Sequence, residues 1–368
     1  MRKRSLRWGL VAAAVVGVAT AVTAALVPWS ANADSQKADG AWKTTYGSQK
    51  LGGRYSSMTV GDATHAWAFG NKNGDADDTD NQHTRIDRWD GEQWKPDTFP
   101  STWTVTPEFA DANSASNVWA VAETDVNHYT LLHYDGKKWS AKRINFHTVR
   151  DITAVGSNQL LLIGDQTLMR YDGTKLTEEP APKYTNAGLT VRSADEMYAV
   201  GEHKSQPYVE KWNGETWASM KVPSVSLGKC SDAGFGAMYA RSSKDIWATG
   251  SYLCMEENEN EYLKPLLAHW NGKKWTMITD AKHRGGYGPV VDDGAGGIWA
   301  ASNSDTGQYV HRAKDGTTTY YHAGVKGLDG LSPSIDNVPG TKSVIGIATM
   351  YDDSNEPKPY GVVSEYTP

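Results

Sequence analysis

The sequence predicts an all-β protein, a seven-bladed β-propeller of four-stranded antiparallel blades, on three observations. A short apolar element recurs seven times. An aromatic hairpin with an Asp-Gly or Asn-Gly turn follows most copies. The two ends of the chain each carry part of one further copy. Strand-only repeats at this period are the signature of propeller blades. Composition agrees. The 368 residues include 36 glycines, 15 tryptophans and 18 tyrosines but only 5 phenylalanines, a balance that favours short strands and turns. No sustained 3.6-residue apolar period runs through the chain after residue 33.

The apolar element, strand b, reads HAWAFG (65–70), NVWAVA (117–122), QLLLIG (159–164), EMYAVG (196–201), DIWATG (245–250), GIWAAS (297–302) and, more weakly, SVIGIA (343–348). Its anchors are Trp67, Trp119, Leu161, Tyr198, Trp247, Trp299 and Ile345, spaced by 52, 42, 37, 49, 52 and 46 residues. Nine residues before the first six anchors stand Met58, Ala110, Ile152, Leu189, Met238 and Val290, which mark an inner strand a. Ile335 in the seventh repeat is one residue out of step. Strands c and d flank the turn in WDGEQW (89–94), YDGKKW (134–139), YDGTKL (171–176), WNGETW (212–217) and WNGKKW (270–275), with a degenerate AKDGTTT at 313–319. Asp-Gly and Asn-Gly suit hairpin turns because glycine tolerates positive φ. The chain ends in GVVSEYTP with no turn after it, whereas Asp39-Gly40-Ala41-Trp42 supplies a lone strand d at the start. The N- and C-terminal strands therefore pair in the seventh blade and seal the sheet edges. Six blades is the alternative, should the weak 321–348 region form no blade of its own.

The glycine-ended b strand, followed by an aromatic, a short turn and a tryptophan, resembles the kelch repeat and the central domain of galactose oxidase. The likeness is one of architecture and spans nearly all of the chain after residue 33. One glycine stands where kelch repeats have two, and the turn is shorter. The chain also resembles repeat propellers that bacteria export, a group that implies no single activity.

The N-terminus reads as an export signal over residues 1–33, leaving 34–368 as a single propeller domain. Arg2, Lys3, Arg4 and Arg7 precede an apolar run from Leu10 to Val27, and Ala31-Asn32-Ala33 is a small-residue cleavage site. An uncleaved membrane anchor is the alternative. Removal takes those four positive charges and moves the net charge from −6 to −10. An acidic surface argues against nucleic acid, and against any membrane contact beyond the export signal. The two cysteines, Cys230 and Cys254, suit one disulfide in an exported protein.

Function is expected on the face that carries the b–c and d–a loops. Two b–c loops stand out as long and acidic, NKNGDADDTDNQ (71–82) and SYLCMEENENEYLK (251–264). In the first, Asn73, Asp75, Asp77 and Asp80 offer oxygens of the kind calcium prefers, although the glycine is misplaced for an EF-hand; a solvated acidic loop is the alternative. Candidate ligand contacts at the channel mouth are Arg54, Tyr55, Trp103, His147, Arg150, Tyr184, His283, Arg284 and Tyr287. The run His283-Arg284-Gly285-Gly286-Tyr287 is the richest of these, combining donors, a ring and close backbone approach. The sequence holds no H-E-x-x-H, G-x-S-x-G, C-x-x-C or phosphate loop, and no catalytic residue is assigned. The expectation is a secreted, non-catalytic binding propeller, a monomer or a subunit of a secreted complex. It recognises a glycan or another secreted protein and has no obligatory cofactor. A glycoside hydrolase or lyase working in the channel mouth is the alternative, because a carboxylate pair assembled by folding leaves no local motif. The hairpin tryptophans, including Trp270 and Trp275, are read as scaffold, with a lectin-like set of aromatic pockets as the alternative.

Overall fold

The computed structural model describes residues 41–47, 53–72, 83–184, 187–226, 228–256, 261–280, 282–304, 307–322, 331–351 and 359–368. Residues 1–33, read from the sequence as an export signal, and Asp39-Gly40 lie outside them. The described chain contains 28 strands and no helix, arranged as seven four-stranded antiparallel sheets. Blades 1 to 6 span 54–96, 109–145, 151–179, 188–219, 230–279 and 287–321, each running a to d in chain order. Blade 7 takes strands a to c from Leu331–Asn337, Val344–Tyr351 and Pro359–Thr367, and strand d from Ala41–Tyr46 at the other end of the chain. Closure pairs Ala41 with Thr367 and Trp42 with Tyr366, so the ring has seven blades rather than six.

The register explains the repeat. Met58, Ala110, Ile152, Leu189, Met238 and Val290 pair with Ala68, Ala120, Leu162, Ala199, Ala248 and Ala300, each the residue after an anchor. Ile335 pairs with Gly346, again the residue after the anchor. The extra residue in blade 7 is therefore absorbed in the a–b turn, and the ladder keeps its phase.

The hairpin turns follow from two residues acting together. The Oδ1 of Asp90, Asp135, Asp172, Asn213 and Asn271 each accepts the main-chain N–H groups two and three residues further on. The glycine that follows takes φ between +87° and +96°, a region that side chains with a Cβ avoid. The glycine that closes the strand b motif has a different cause. A Cβ on Gly70, Gly164 or Gly250 would lie within 2.0 Å of a carbonyl oxygen near the start of strand a.

Seven apolar clusters fill the seven gaps between blades. Each gap receives an anchor from the preceding blade and a strand d residue from the following one. Trp67 of blade 1 meets Trp139 of blade 2, and both indole N–H groups donate to Asp97, at 3.2 and 2.8 Å. Trp299 of blade 6 meets Trp42 of blade 7 edge-on, with ring centres 5.5 Å apart. Opposite the anchors of blades 1 to 6, strand c supplies a cationic or imidazole side chain, whereas Ile345 of blade 7 faces Glu365. His133, His269 and His311 stack on Trp119, Trp247 and Trp299 at 3.9 to 4.5 Å.

One buried polar network interrupts this apolar plan. Arg85 and Asp87 are 6% and 2% exposed, and Arg85 Nε donates to Asp87 at 2.5 Å. The phenols of Tyr55 and Tyr46 donate to the same carboxylate at 2.6 and 3.2 Å. Burial, then the Asp87 charge, pushes the Tyr55 phenol well above its usual range, so it stays a neutral donor. Asp87→Ala leaves the Arg85 charge buried without this carboxylate. Urea unfolding is expected to show a loss of about 3–5 kcal/mol, with secondary structure by far-ultraviolet dichroism retained below the transition.

Candidate ligand-binding face

The sheet order a-b-c-d places the b–c and d–a connections on one face of the ring, and that face is dominated by blade 5. Its strands a, b and c are Cys230–Ser242, Asp245–Met255 and Glu261–Trp270, which at 13, 11 and 10 residues are the longest of their kind. The stretch read from sequence as the loop 251–264 is therefore mostly ladder. Ser251, Tyr252, Leu253, Cys254 and Met255 pair with Pro265, Lys264, Leu263, Tyr262 and Glu261. The acidic run EENENE had hidden the continuing strand, whose apolar residues flank it on both sides; residues 257–260 lie outside the described residues. Cys230 opens strand a. It pairs directly with Cys254 across the a–b ladder and forms the disulfide the sequence suggested, with Cα atoms 4.0 Å apart.

The loop from blade 5 to blade 6 leans on this raised hairpin. Gly285 N–H donates to the Leu263 carbonyl at 2.8 Å. A Cβ on Gly286 would lie 2.9 Å from the Ser251 side chain, so a larger residue would push the loop off the wall. Arg284 spans the two elements, its guanidinium 4.4 Å from the Tyr262 ring centre and paired with Glu256. Below it lies a chain of hydrogen bonds. His283 Nδ1 is 2.6 Å from Asp280 Oδ2, the Tyr320 hydroxyl donates to the same oxygen at 3.0 Å, and the Tyr287 and Tyr320 hydroxyls are 2.6 Å apart. Burial, above all, pushes the Tyr287 phenol to about 12 and Tyr320 higher still, so both are neutral at physiological pH. Burial also acts to raise the Asp280 carboxyl, but its bonds to His283, Lys282 N–H and Tyr320 outweigh that and hold it below its ordinary range. The cluster thus combines positioned donors, a carboxylate and the closely packed rings of His283 and Tyr320, an arrangement suited to recognition.

The structure brings His283, Arg284 and Tyr287 together and spreads the other candidates around the ring. Tyr55 is 2% exposed and belongs to the buried Arg85–Asp87 network, not to the rim. Arg54 opens strand a of blade 1 opposite Asn71. Trp103 stacks on Phe99 against the apolar gap between blades 1 and 2. His147 is 2.5 Å from Asn127 Oδ1, and Arg150 pairs with Asp165 at 3.1 Å. Tyr184 joins His203 and Tyr208 in a second aromatic group on blade 4, with centres 3.9 and 5.7 Å from its own. The proposed calcium ligands Asn73, Asp75, Asp77 and Asp80 lie outside the described residues. Asp280, Tyr262 and Tyr320 were not singled out from sequence, since nothing local marks them until the loop and the two blades meet. Trp275, from the hairpin that repeats around the ring, is 5% exposed and packed in the gap between blades 4 and 5, as scaffold.

A second feature escaped the sequence. Asp336, Asp111 and Asp151 on inner strands accept main-chain N–H groups of the next blade, from Val60 at 2.9 Å, Ala154 at 2.7 Å and Leu189 at 2.8 Å. Thr153 donates to the Leu189 carbonyl across the same seam as Asp151, and Thr190 on strand a of blade 4 and Thr249 on strand b of blade 5 donate to the Met238 and Gly288 carbonyls across the next two. These side chains tie the free inner edges of neighbouring sheets. Burial raises Asp111 to about 6 and Asp151 and Asp336 to about 7, with the Asp111 charge adding to the rise of the other two.

No protein-family model matches the chain, and no curated protein matches it either. Solved structures do. YCF48 bound to a D1 peptide is 14% identical, with a TM-score of 0.55, over 91% of this chain and 96% of that one. The WD40 propeller domain of Doa1 is 8% identical, with a TM-score of 0.53, over 89% and 97%. A chain of the mitotic checkpoint complex is 9% identical, with a TM-score of 0.52, over 93% and 99%. What this chain shares with them at such identities is the propeller fold.

Two outcomes follow from the geometry. Cys230→Ser is expected to lower stability by about 3 kcal/mol in urea unfolding, the loop-closure effect of a bridge this long, while leaving the propeller folded. The inner carboxyls act through pH. Their folded values lie above the 3.8 of a free aspartate, so folding favours the protonated form. Their contribution is complete below about pH 4 and fades as pH rises through about 7. Asp151→Asn and Asp336→Asn cannot ionise; each keeps one acceptor for the N–H group across the seam and gives up the second, which takes the N–H of Ile152 or Asn337, at a cost that does not vary with pH. Relative to wild type, each variant should therefore gain stability between pH 4.5 and pH 7.5 in paired unfolding curves.

Proposed function

We propose that this chain is an exported, non-catalytic binding propeller, and that it captures another secreted protein on the face built by blades 5 and 6. The observation that carries this reading is the raised blade 5 hairpin, cross-linked by Cys230–Cys254 and capped by Arg284 lying across Tyr262. A rigid wall costs little ordering entropy when a partner docks. Arginine and tyrosine are the residue types that concentrate binding energy at protein interfaces. Met255, at the hairpin's upper end, is 50% exposed, an apolar contact that suits a protein surface better than a glycan. The YCF48 propeller holds a peptide, which supports the reading by analogy of fold alone.

The test is an affinity capture from culture supernatant and from purified cell envelope, identifying bound proteins and glycans. A stoichiometric protein captured by the wild type and lost on Tyr262→Ala with Arg284→Ala is the expected result. Retention on polysaccharide alone would replace the protein partner with a glycan. Turnover of a polysaccharide would replace binding with catalysis.

A further inference from the structure

The gap between blades 5 and 6 differs from the other six. Elsewhere the sizes of two residues that face each gap are matched. Where strand b supplies Ala68, Ala120, Ala199, Ala248 or Gly346, strand d of the same blade supplies Trp94, Trp139, Trp217, Trp275 or Trp42. Blade 3 has Leu176 in place of the tryptophan, and there strand b supplies the larger Leu162. Blade 6 breaks the rule. Its c–d turn is one residue longer, and Arg312 pairs with Thr318 where the other blades pair two aromatics or Tyr171 with Leu176. Opposite Thr318, strand b still supplies only Ala300. Both positions are small, and a cavity of about 310 Å³ remains.

The lining of that cavity states its chemistry. Leu267, Ile278, Ile298, Ala300 and Val310 form an apolar waist. Lys282, Tyr287 and Asp280 stand on the side of the d–a loop, and Arg312 with Thr318 at the other end. Asp280 is already committed to His283 and Tyr320. Among the described residues Lys282 and Arg312 make no ion pair, and Arg312 donates to Thr318 at 2.8 Å. We infer that this cavity is a binding site for a small aromatic acid: a planar ring of indole size fills the place that strand d tryptophans fill in other gaps, and its anionic group meets Arg312 or Lys282. Apolar cavities take up apolar rings, and a guanidinium at the end of an apolar waist selects a carboxylate. A cavity held between two rigid sheets is preformed, so little is lost in ordering it. Occupancy does not require a partner on the top face.

Isothermal titration with indole-3-acetate, indole and N-acetyl-tryptophan amide tests the site. The wild type should bind indole-3-acetate more tightly than indole, and the neutral amide most weakly. Ala300→Leu, which restores the size match seen in blade 3, should weaken indole-3-acetate at least tenfold and raise Tm by about 2 °C, as cavity filling does. Thr318→Trp is the second filler, should the first fold poorly. Arg312→Gln should weaken the acid about tenfold and leave indole unchanged. No heat from the wild type with indole-3-acetate would overturn the site. So would a folded Ala300→Leu that binds like wild type, or an amide that binds as tightly as the acid.

Discussion

Every seam in this ring depends on being filled from both sides. An anchor on strand b reaches forward, and a residue on strand d of the next blade reaches back, so neither sheet can shed its neighbour without exposing both. Burying one such side chain contributes about 1.5–3 kcal/mol, and aromatic pairs add to it through their edge-to-face contacts. The pairing also fixes the ring closure. Trp42, carried by the first described strand, stacks on Tyr309 of blade 6 at 3.8 Å and touches Trp299 and Tyr366. The N-terminal strand is thus held by the same device as every other strand d, and the chain ends are joined by packing as well as by the ladder.

The inner wall is held differently. The free edges of the inner strands are joined by side-chain hydrogen bonds, through aspartates on three seams and Thr190 on a fourth, with Thr249 of strand b reaching across a fifth. Desolvation raises these aspartates even though the N–H groups they accept favour the ion, which makes this part of the ring sensitive to pH in the opposite sense to the surface pairs. Surface carboxyls such as Asp62 and Asp280 have their values lowered by nearby donors and stabilise the fold as ions. The two groups of carboxylates oppose each other as pH changes, so the stability maximum reflects their balance rather than the net charge.

What the sequence made legible was the part governed by periodicity. The anchors, the Asp-Gly and Asn-Gly turns and the split seventh blade are each local patterns, and the register bears them out, including Ile335, whose apparent slip is taken up by a longer turn. The sequence was least informative where a side chain's role depends on another blade. Tyr55 reads as a rim tyrosine beside Arg54, but Arg85 and Asp87, some thirty residues on, draw it into the core. The stretch 251–264 reads as a loop because its middle is acidic, although pairing across the tip makes most of it ladder. Among the site residues, His283, Arg284 and Tyr287 were visible as a dense polar-aromatic run. Their partners Asp280, Tyr262 and Tyr320 were not, because one precedes the run unremarkably and the other two arrive from different strands.

In a ring of near-equivalent blades, the regular positions are accounted for by packing, and what is left to explain lies in the departures. Two of the largest fall on adjacent blades. Blade 5 lengthens its strands and pins them with the chain's disulfide, and blade 6 gives up the cross-strand aromatic pair that its neighbours keep. Each departure has a cost that packing alone does not return: a raised hairpin orders more chain, and an unfilled gap forfeits dispersion contacts along its lining. Both sit at one seam, where the loop 280–286 joins them through Gly285 to Leu263 on one side and through Asp280 to Tyr320 on the other. A mutation-driven loss of a single tryptophan would explain a cavity but not the cations at its ends or the wall beside it. The coincidence of the three at one seam is what the proposed binding site requires.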